Sequence, residues 1–374
     1  MSVGGADDGR GELTSDAARH RVARRGVRVA VLGVVIVTAV VGVVAAAVRS
    51  HTTDAAHPPA SSVPSSAPPI SAWNPPAGLV GLAAGPFVAA VDGKLILVDA
   101  DGAVHQLLQG VDRDALVIGT SRDSFLVGTR PWEAMVANAS SSQFGQVVPS
   151  GVTLIPDAAG RWWSNFGQLG GSGQLRHLTF ADGARPVAKL RDGYLVVDAA
   201  QTAMIDQPSR GPARRIGTGD AVVLAVAGDL VAWSDDDSSR GGGTTVHVTD
   251  VATNGTADVE TAGTAVTARF SPDSTRIAVL SRARGESTVL AETATGRVLK
   301  TLPTASAANA ITTFRNAPPA LQPSPFNWDP ATGNLIVVTT NGGPGSTVAF
   351  VDVNGNVVHT EAAPIGMSQL VPQA

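Results

Sequence analysis

Residues 246–260 read VHVTDVATNGTADVE, residues 289–302 read VLAETATGRVLKTL, and residues 349–361 read AFVDVNGNVVHTE. Each is an apolar run, a polar corner containing Gly, and a second run. Short alternating runs bounded by Asp, Asn and Gly are the pattern of a β-hairpin, and Gly suits the corner because it reaches positive φ without steric cost. Residues 96–108, ILVDADGAVHQLL, repeat the pattern, and weaker copies occupy 135–148, 178–190 and 204–217. The corner glycines are Gly102, Gly145, Gly183, Gly211, Gly255, Gly296 and Gly355. From first to last the chain advances 253 residues in six steps, about 42 per repeat. Four-stranded propeller blades repeat every 40 to 45 residues or so.

A second hairpin precedes each of these. It is clearest at 268–281, ARFSPDSTRIAVLS. Here the chain resembles the WD-like repeats of TolB-type β-propellers, whose blades carry Phe or Trp, then Ser-Pro-Asp-Gly, then an apolar strand. Phe270, Ser271, Pro272 and Asp273 match, and Ser274 stands where the family has Gly. Residues 326–340, FNWDPATGNLIVVTT, give a looser copy through Trp328, Asp329, Pro330 and Gly333. Equivalent turns are read at Asp92-Gly93, Arg122-Asp123, Asp157 to Gly160, Asp192-Gly193 and Gly228-Asp229. Pro fixes a turn corner and Asp bonds nearby backbone N–H groups, so the motif is structural. Phe270 and Trp328 are expected in the packing between sheets.

These repeats predict an all-β propeller of seven four-stranded blades over 79–374. The expected blades are 79–115, 116–150, 151–189, 190–218, 219–262, 263–303 and 304–374. The short 190–218 unit leaves six or eight as alternatives. Radial closure suits a chain without Cys, which can form no disulfide and must be held by packing alone.

Residues 29–48, VAVLGVVIVTAVVGVVAAAV, are twenty residues without a charge, enough for a helix to cross a bilayer. Arg19, Arg21, Arg24, Arg25 and Arg28 precede this stretch and Arg49 alone follows it. The positive-inside rule therefore predicts a cytoplasmic tail at 1–28, a single transmembrane anchor at 29–48, and an extracytoplasmic remainder. A cleaved signal peptide is the alternative, but its apolar region is usually shorter. Residues 49–78, with seven prolines among Ser and Ala, read as a disordered spacer.

Formal net charge is −4, and the main body holds no basic run, which argues against a nucleic-acid partner. Basic residues are 24 Arg against only Lys94, Lys189 and Lys300, a bias typical of a GC-rich bacterial genome. His20, His51 and His57 fall in the tail or linker. His105, His247 and His359 are expected on the outermost strands of different blades, away from a common centre. No zinc or calcium-loop spacing, phosphate loop or nucleophile elbow occurs, so neither a metal nor a cofactor nor a catalytic residue is assigned.

Long connections at 129–134, 164–174, 234–245, 305–325 and 341–346 are expected on one face, opposite tight turns. Long loops on a rigid scaffold are where binding resides. Trp132 and Phe166, with Asp235, Asp236 and Asp237, are therefore the candidate partner contacts. The expected function is a membrane-tethered, extracytoplasmic, non-catalytic binding or scaffolding module for an envelope protein or polymer. The alternative is a propeller hydrolase or lyase acting on envelope or extracellular glycans. A central pocket with two or three mutually perturbed ionisable groups would favour the enzyme.

Overall fold

The computed structural model describes residues 78–373 except 84, 108–114, 122–123, 130–132, 139–145, 149–153, 158, 165–166, 171–174, 179, 181, 238–240, 305–323 and 341–344. The described residues are all β and contain no helix. None is therefore long and apolar enough to cross a membrane, and the apolar stretch 29–48 lies outside the described residues.

Seven four-stranded antiparallel sheets follow one another along the chain. The first blade is β1 (Phe87–Val91), β2 (Lys94–Val98) and β3 (Val104–Gln106), completed by the last strand of the chain, β30 (Met367–Pro372), in the order β30-β1-β2-β3. The second is β4 (Ala115–Ser121), β5 (Ser124–Thr129), β6 (Glu133–Asn138) and β7 (Gln146–Val148). The third is β8 (Leu154–Pro156), β9 (Trp162–Ser164), β10 (Gly167–Leu169) and β11 (Leu175–His177). The fourth is β12 (Arg185–Leu190), β13 (Gly193–Val197), β14 (Ala203–Gln207) and β15 (Arg214–Thr218). In the fifth, β16 (Val222–Ala227), β17 (Leu230–Ser234), β20 (Thr245–Asp250) and β21 (Gly255–Glu260) pair in that order. A separate ribbon, β18 (Asp236–Asp237) with β19 (Gly241–Gly242), is inserted between β17 and β20. The sixth is β22 (Thr264–Phe270), β23 (Arg276–Arg282), β24 (Glu286–Glu292) and β25 (Val298–Pro303). The seventh is β26 (Phe326–Trp328), β27 (Leu335–Thr340), β28 (Ser346–Val351) and β29 (Val357–Ala362). Because the last strand completes the first sheet, the sheets close into a ring, and the fold is a seven-bladed β-propeller.

Three expectations change. The first blade is not 79–115, because its innermost strand comes from the C-terminus. This turns Asp92-Gly93 into the link between second and third strands, with φ of 48° and 74°, a left-handed pair suited to a two-residue hairpin. Residues 178–190 are not a hairpin within a blade. Residues 178–184 connect β11 to β12, which takes up 185–190, so the fourth blade starts at Arg185 and the third takes its outer hairpin from β10 and β11. The stretch 164–174 is not one loop, since β10 divides it between opposite faces.

The apolar runs are continuous because a strand near the ring axis is buried on both faces. In β1 all five residues are buried. Side chains alternate along a strand, so Val88 and Ala90 pack on the second blade while Phe87, Ala89 and Val91 pack on the seventh. Likewise Ile277 and Val279 of β23 join the fifth blade, and Ala278 and Leu280 join the seventh. Trp328 sits in that last cluster, and Phe270, partly buried, packs against the previous one.

Asp carboxylates shape the corners. Asp273 accepts from Ser271 Oγ at 2.6 Å, Thr275 Oγ1 at 2.9 Å and Thr275 N at 3.1 Å. Asp329 accepts from Ala331 N at 2.9 Å, and Asp352 from Asn354 N at 2.9 Å and Asn356 N at 2.8 Å. Ser274, where the resembled family has Gly, adopts φ of 61° and so carries the steric cost that Gly would avoid.

Gln369, fully buried on β30, joins three blades. Its Oε1 accepts from Val117 N of the second blade at 2.7 Å. Its Nε2 donates to Val117 O and, at 2.8 Å, to Ser324 O beside the seventh blade. Gln369→Ala strands these buried groups and is predicted to lower stability by on the order of 3 kcal/mol in urea denaturation of the full-length chain. Gln373→Ala, which removes only a 3.4 Å bond to Val371 O, is predicted to change it by less than about 0.5 kcal/mol.

Candidate functional site

The innermost strands β4, β8, β12, β16, β22, β26 and β30 surround a central channel of about 1180 Å³. Five of them carry a β-bulge against the second strand of their blade. The bulges fall at Val117/Gly119, Pro186/Ala188, Val223/Ala225, Ala265/Thr267 and, in β30, opposite Ala90/Val91. A bulge adds one residue to one strand and re-aims a side chain. The added residues Ile118, Val187, Leu224 and Val266 all line the channel. The wall is mostly apolar.

Four charged groups line it among the described residues: Asp157, Arg185, Arg191 and Arg269. Asp157, in the turn after β8, accepts from Ala159 N and Arg161 N, both at 2.9 Å, and from Trp163 Nε1 at 2.9 Å. Arg161 Nε adds a bond at 2.8 Å and its Nη2 an ion pair at 2.8 Å. Burial alone would raise the Asp157 pKa, but the Arg161 N–H, the Trp163 indole and the Arg161 charge outweigh it, and the carboxyl titrates below its ordinary value. Arg191 is exposed and pairs with Asp229 at 3.1 Å.

Arg269 differs from these. It stands near the end of β22, inside the ARFSPD motif, with its own carbonyl fixed by Trp328 Nε1 of the next blade at 3.0 Å. Its Nη1 donates to Thr120 Oγ1 on β4, so the side chain reaches from the sixth blade to the second. Its Nε is buried without a hydrogen-bond partner among the described residues. Burial pushes the guanidinium down to about 10, which leaves it charged at neutral pH. Sequence reading missed this residue, since it quoted Arg269 within a structural motif. The available signal was a cation in TAVTARF, a strand otherwise suited to burial on both faces.

Trp132 and Phe166 lie outside the described residues. Asp235 is exposed, its carboxylate 4.0 Å from His247 Nε2, and Asp236 and Asp237 pair with Gly242 and Gly241 in the inserted ribbon. Phe270, Ser271, Pro272 and Trp328 meet at the channel, at the end where β22 finishes. The ribbon sits at the other end, where β22 begins, as Ala265 N bonded to Gly243 O at 3.0 Å shows. Trp162 and Trp163 are both buried; Trp162 Nε1 donates to Ser124 Oγ at 3.0 Å, and Trp163 packs edge-on against Tyr194 at 5.5 Å.

The described histidines occupy separate sheets. His105 and His359 are on outermost strands, pairing with Asp99 at 2.9 Å and Glu361 at 2.7 Å. His247 is on β20, a third strand rather than an outermost one, because it precedes its glycine corner, and it bonds Asp258 at 2.8 Å.

No family model matches the chain, and no curated protein matches it. The likenesses are to solved structures, one of them a β-propeller domain, and concern fold alone. A functionally unknown protein from Desulfotomaculum acetoxidans shares 11% identity over 77% of this chain and 99% of its own, with a TM-score of 0.44. The β-propeller domain of Cps50 (Swd1) from Myceliophteria thermophila shares 11% over 67% of this chain and 87% of its own, with a TM-score of 0.38. Hsv2p from Kluyveromyces lactis shares 14% over 72% and 75%, with a TM-score of 0.32. The TolB-type resemblance accordingly rests on the Phe270-Ser271-Pro272-Asp273 turn and its looser copy at Trp328-Asp329.

Asp157→Asn removes the ion pair with Arg161 and cannot accept every bond the carboxylate takes. It is predicted to cost about 1.5–3 kcal/mol at neutral pH by urea denaturation. A carboxyl lowered in the folded state stabilises above its unfolded pKa, and that contribution is lost as pH falls through the folded value. The parent is therefore predicted to lose its advantage over Asp157→Asn as pH drops below about 4.

Proposed function

We propose that the chain is a membrane-tethered binding module that displays its propeller outside the cytoplasm to an envelope protein or polymer. The tether and its orientation rest on the uncharged stretch 29–48 and its flanking arginines. A non-catalytic role is supported by the channel chemistry. Among the described lining residues there is one carboxylate, Asp157, and it is committed to Arg161 and Trp163. Acid–base chemistry on a glycoside would need a second carboxyl group facing the first.

The observation that carries the reading is the ribbon β18–β19. The loop it extends is already closed at its base by Gly243 N on Asp235 O at 2.7 Å. Connecting β17 to β20 requires nothing beyond that closure, so the ribbon residues 236–237 and 241–242 are surplus to the fold. Strand direction puts them on the face where the sheets are linked, together with the ends of β27 and β28 that flank 341–345.

The test replaces 236–242 with Asn-Gly, keeping the closure, in the full-length chain on cells that allow in situ crosslinking. Protease added to wall-stripped cells is predicted to remove the propeller and leave a membrane stub. The shortened variant is predicted to fold but lose the crosslinked envelope component, while Asn354→Ala on the opposite face retains it. Protection of the domain in intact cells would reverse the orientation, and unchanged crosslinking in the shortened variant would exclude the ribbon face.

A further inference from the structure

Among the described lining residues of the channel, Arg185 and Arg269 have no ion pair, and Arg269, half-buried, also holds its Nε out of solvent without a hydrogen-bond partner. Asp157 is held by Arg161, and Arg191 is held by Asp229. Of five N–H donors a guanidinium offers, the described residues engage one, through Thr120. Burial lowers its pKa, and none of the described carboxylates forms an ion pair with it. A half-buried cation without an anion carries a desolvation cost, and a fold that only needed a spoke between blades could have used a neutral side chain.

The surroundings define what could supply the charge. The described lining carries three guanidinium groups against one carboxylate, a balance that favours anions. Arg185, at the start of β12, adds a second cation to the same wall. Between these charges the surface is apolar, built by Ile118, Val187, Leu224 and Val266 from the bulges, with Trp162 beside them. A volume of about 1180 Å³ is ample for a small organic molecule.

We propose that the channel binds an amphipathic organic anion, its carboxylate or sulfonate-type head on Arg269 and its apolar body against the bulge residues. A carboxylate matches the planar fork of a guanidinium and takes two of its free donors at once. Head and body are then both needed: the body leaves water for the bulge residues, and the head neutralises the half-buried cation. This site is separate from the ribbon face and does not depend on it.

The experiment is calorimetric titration of the full-length chain in lipid nanodiscs with 2-naphthoate and with 2-naphthamide, which has the same ring but no charge. Naphthoate is predicted to bind one-to-one and at least about tenfold tighter than naphthamide. Arg269→Gln is predicted to bring naphthoate down to the naphthamide level, and Arg269→Lys to keep part of the preference. Ile118→Ala is predicted to weaken both probes alike. Should Arg269→Gln fail to fold, Thr120→Val serves instead: freeing the guanidinium from its one described partner is predicted to keep or raise naphthoate affinity. The turn 122–123 lies outside the described residues, so Asp123→Asn is included and is predicted to leave naphthoate binding unchanged. A tenfold gain in Asp123→Asn would make the counter-charge the chain's own and overturn the proposal. Equal affinity for the two probes in the parent, naphthoate preference surviving in Arg269→Gln, or naphthoate affinity lost in Thr120→Val would overturn it as well.

Discussion

Strand β30 lies against β1 from Phe87↔Pro372 to Val91↔Met367, and Gln369 at its centre ties Val117 on one side to Ser324 on the other. A sheet-by-sheet ring has a free edge until its ends meet, and exposed strand edges invite pairing with other chains. Here closure comes from strand pairing and from one buried amide, in a chain with no Cys to do it covalently. The bulge at Val117/Gly119 coincides with the place where Gln369 reaches the backbone. The bulge interrupts the ladder there, and the side chain takes up both polar groups of Val117.

The same geometry determines the character of the channel. Strands near the axis must bury both faces between neighbouring blades, so their side chains are committed sideways: Val88 one way and Phe87 the other. The residues left to face the axis are the added members of the bulges and those near strand ends. Four of the former are Ile118, Val187, Leu224 and Val266, and a cation at one of the latter, Arg269, reaches across. Channel chemistry is thus a by-product of ring packing, set by a few positions that the packing does not claim.

The fold was readable because its repeat is local. Each corner at Gly255, Gly296 and Gly355 is a hairpin whose composition states its conformation, and their spacing states the blade. Ring closure was not readable from spacing: β30 is an ordinary apolar strand, and nothing in MSQLVP says that it pairs with Phe87–Val91 across the whole domain. The corner at Gly183 misled for a related reason. A Gly turn between two apolar runs looks alike whether it joins strands within a blade or links two blades. Arg269 was hidden by its motif, because the turn explains Phe270 to Asp273 completely and leaves no reason to look one residue back. Phe270 and Trp328 pack against the clusters between sheets and also reach the end of the channel, two environments that an aromatic before a tight turn does not distinguish in sequence.

The ring account predicts that β30 is as stable as the rest of the domain, since no blade survives its departure. Native-state hydrogen exchange measures this directly, because it separates local opening from global unfolding residue by residue. The account predicts that amides of β30 and β1 exchange only through global unfolding, with the same free energy as the central amides of β23. Exchange of β30 by local opening at clearly lower free energy, with β23 still protected, would contradict it.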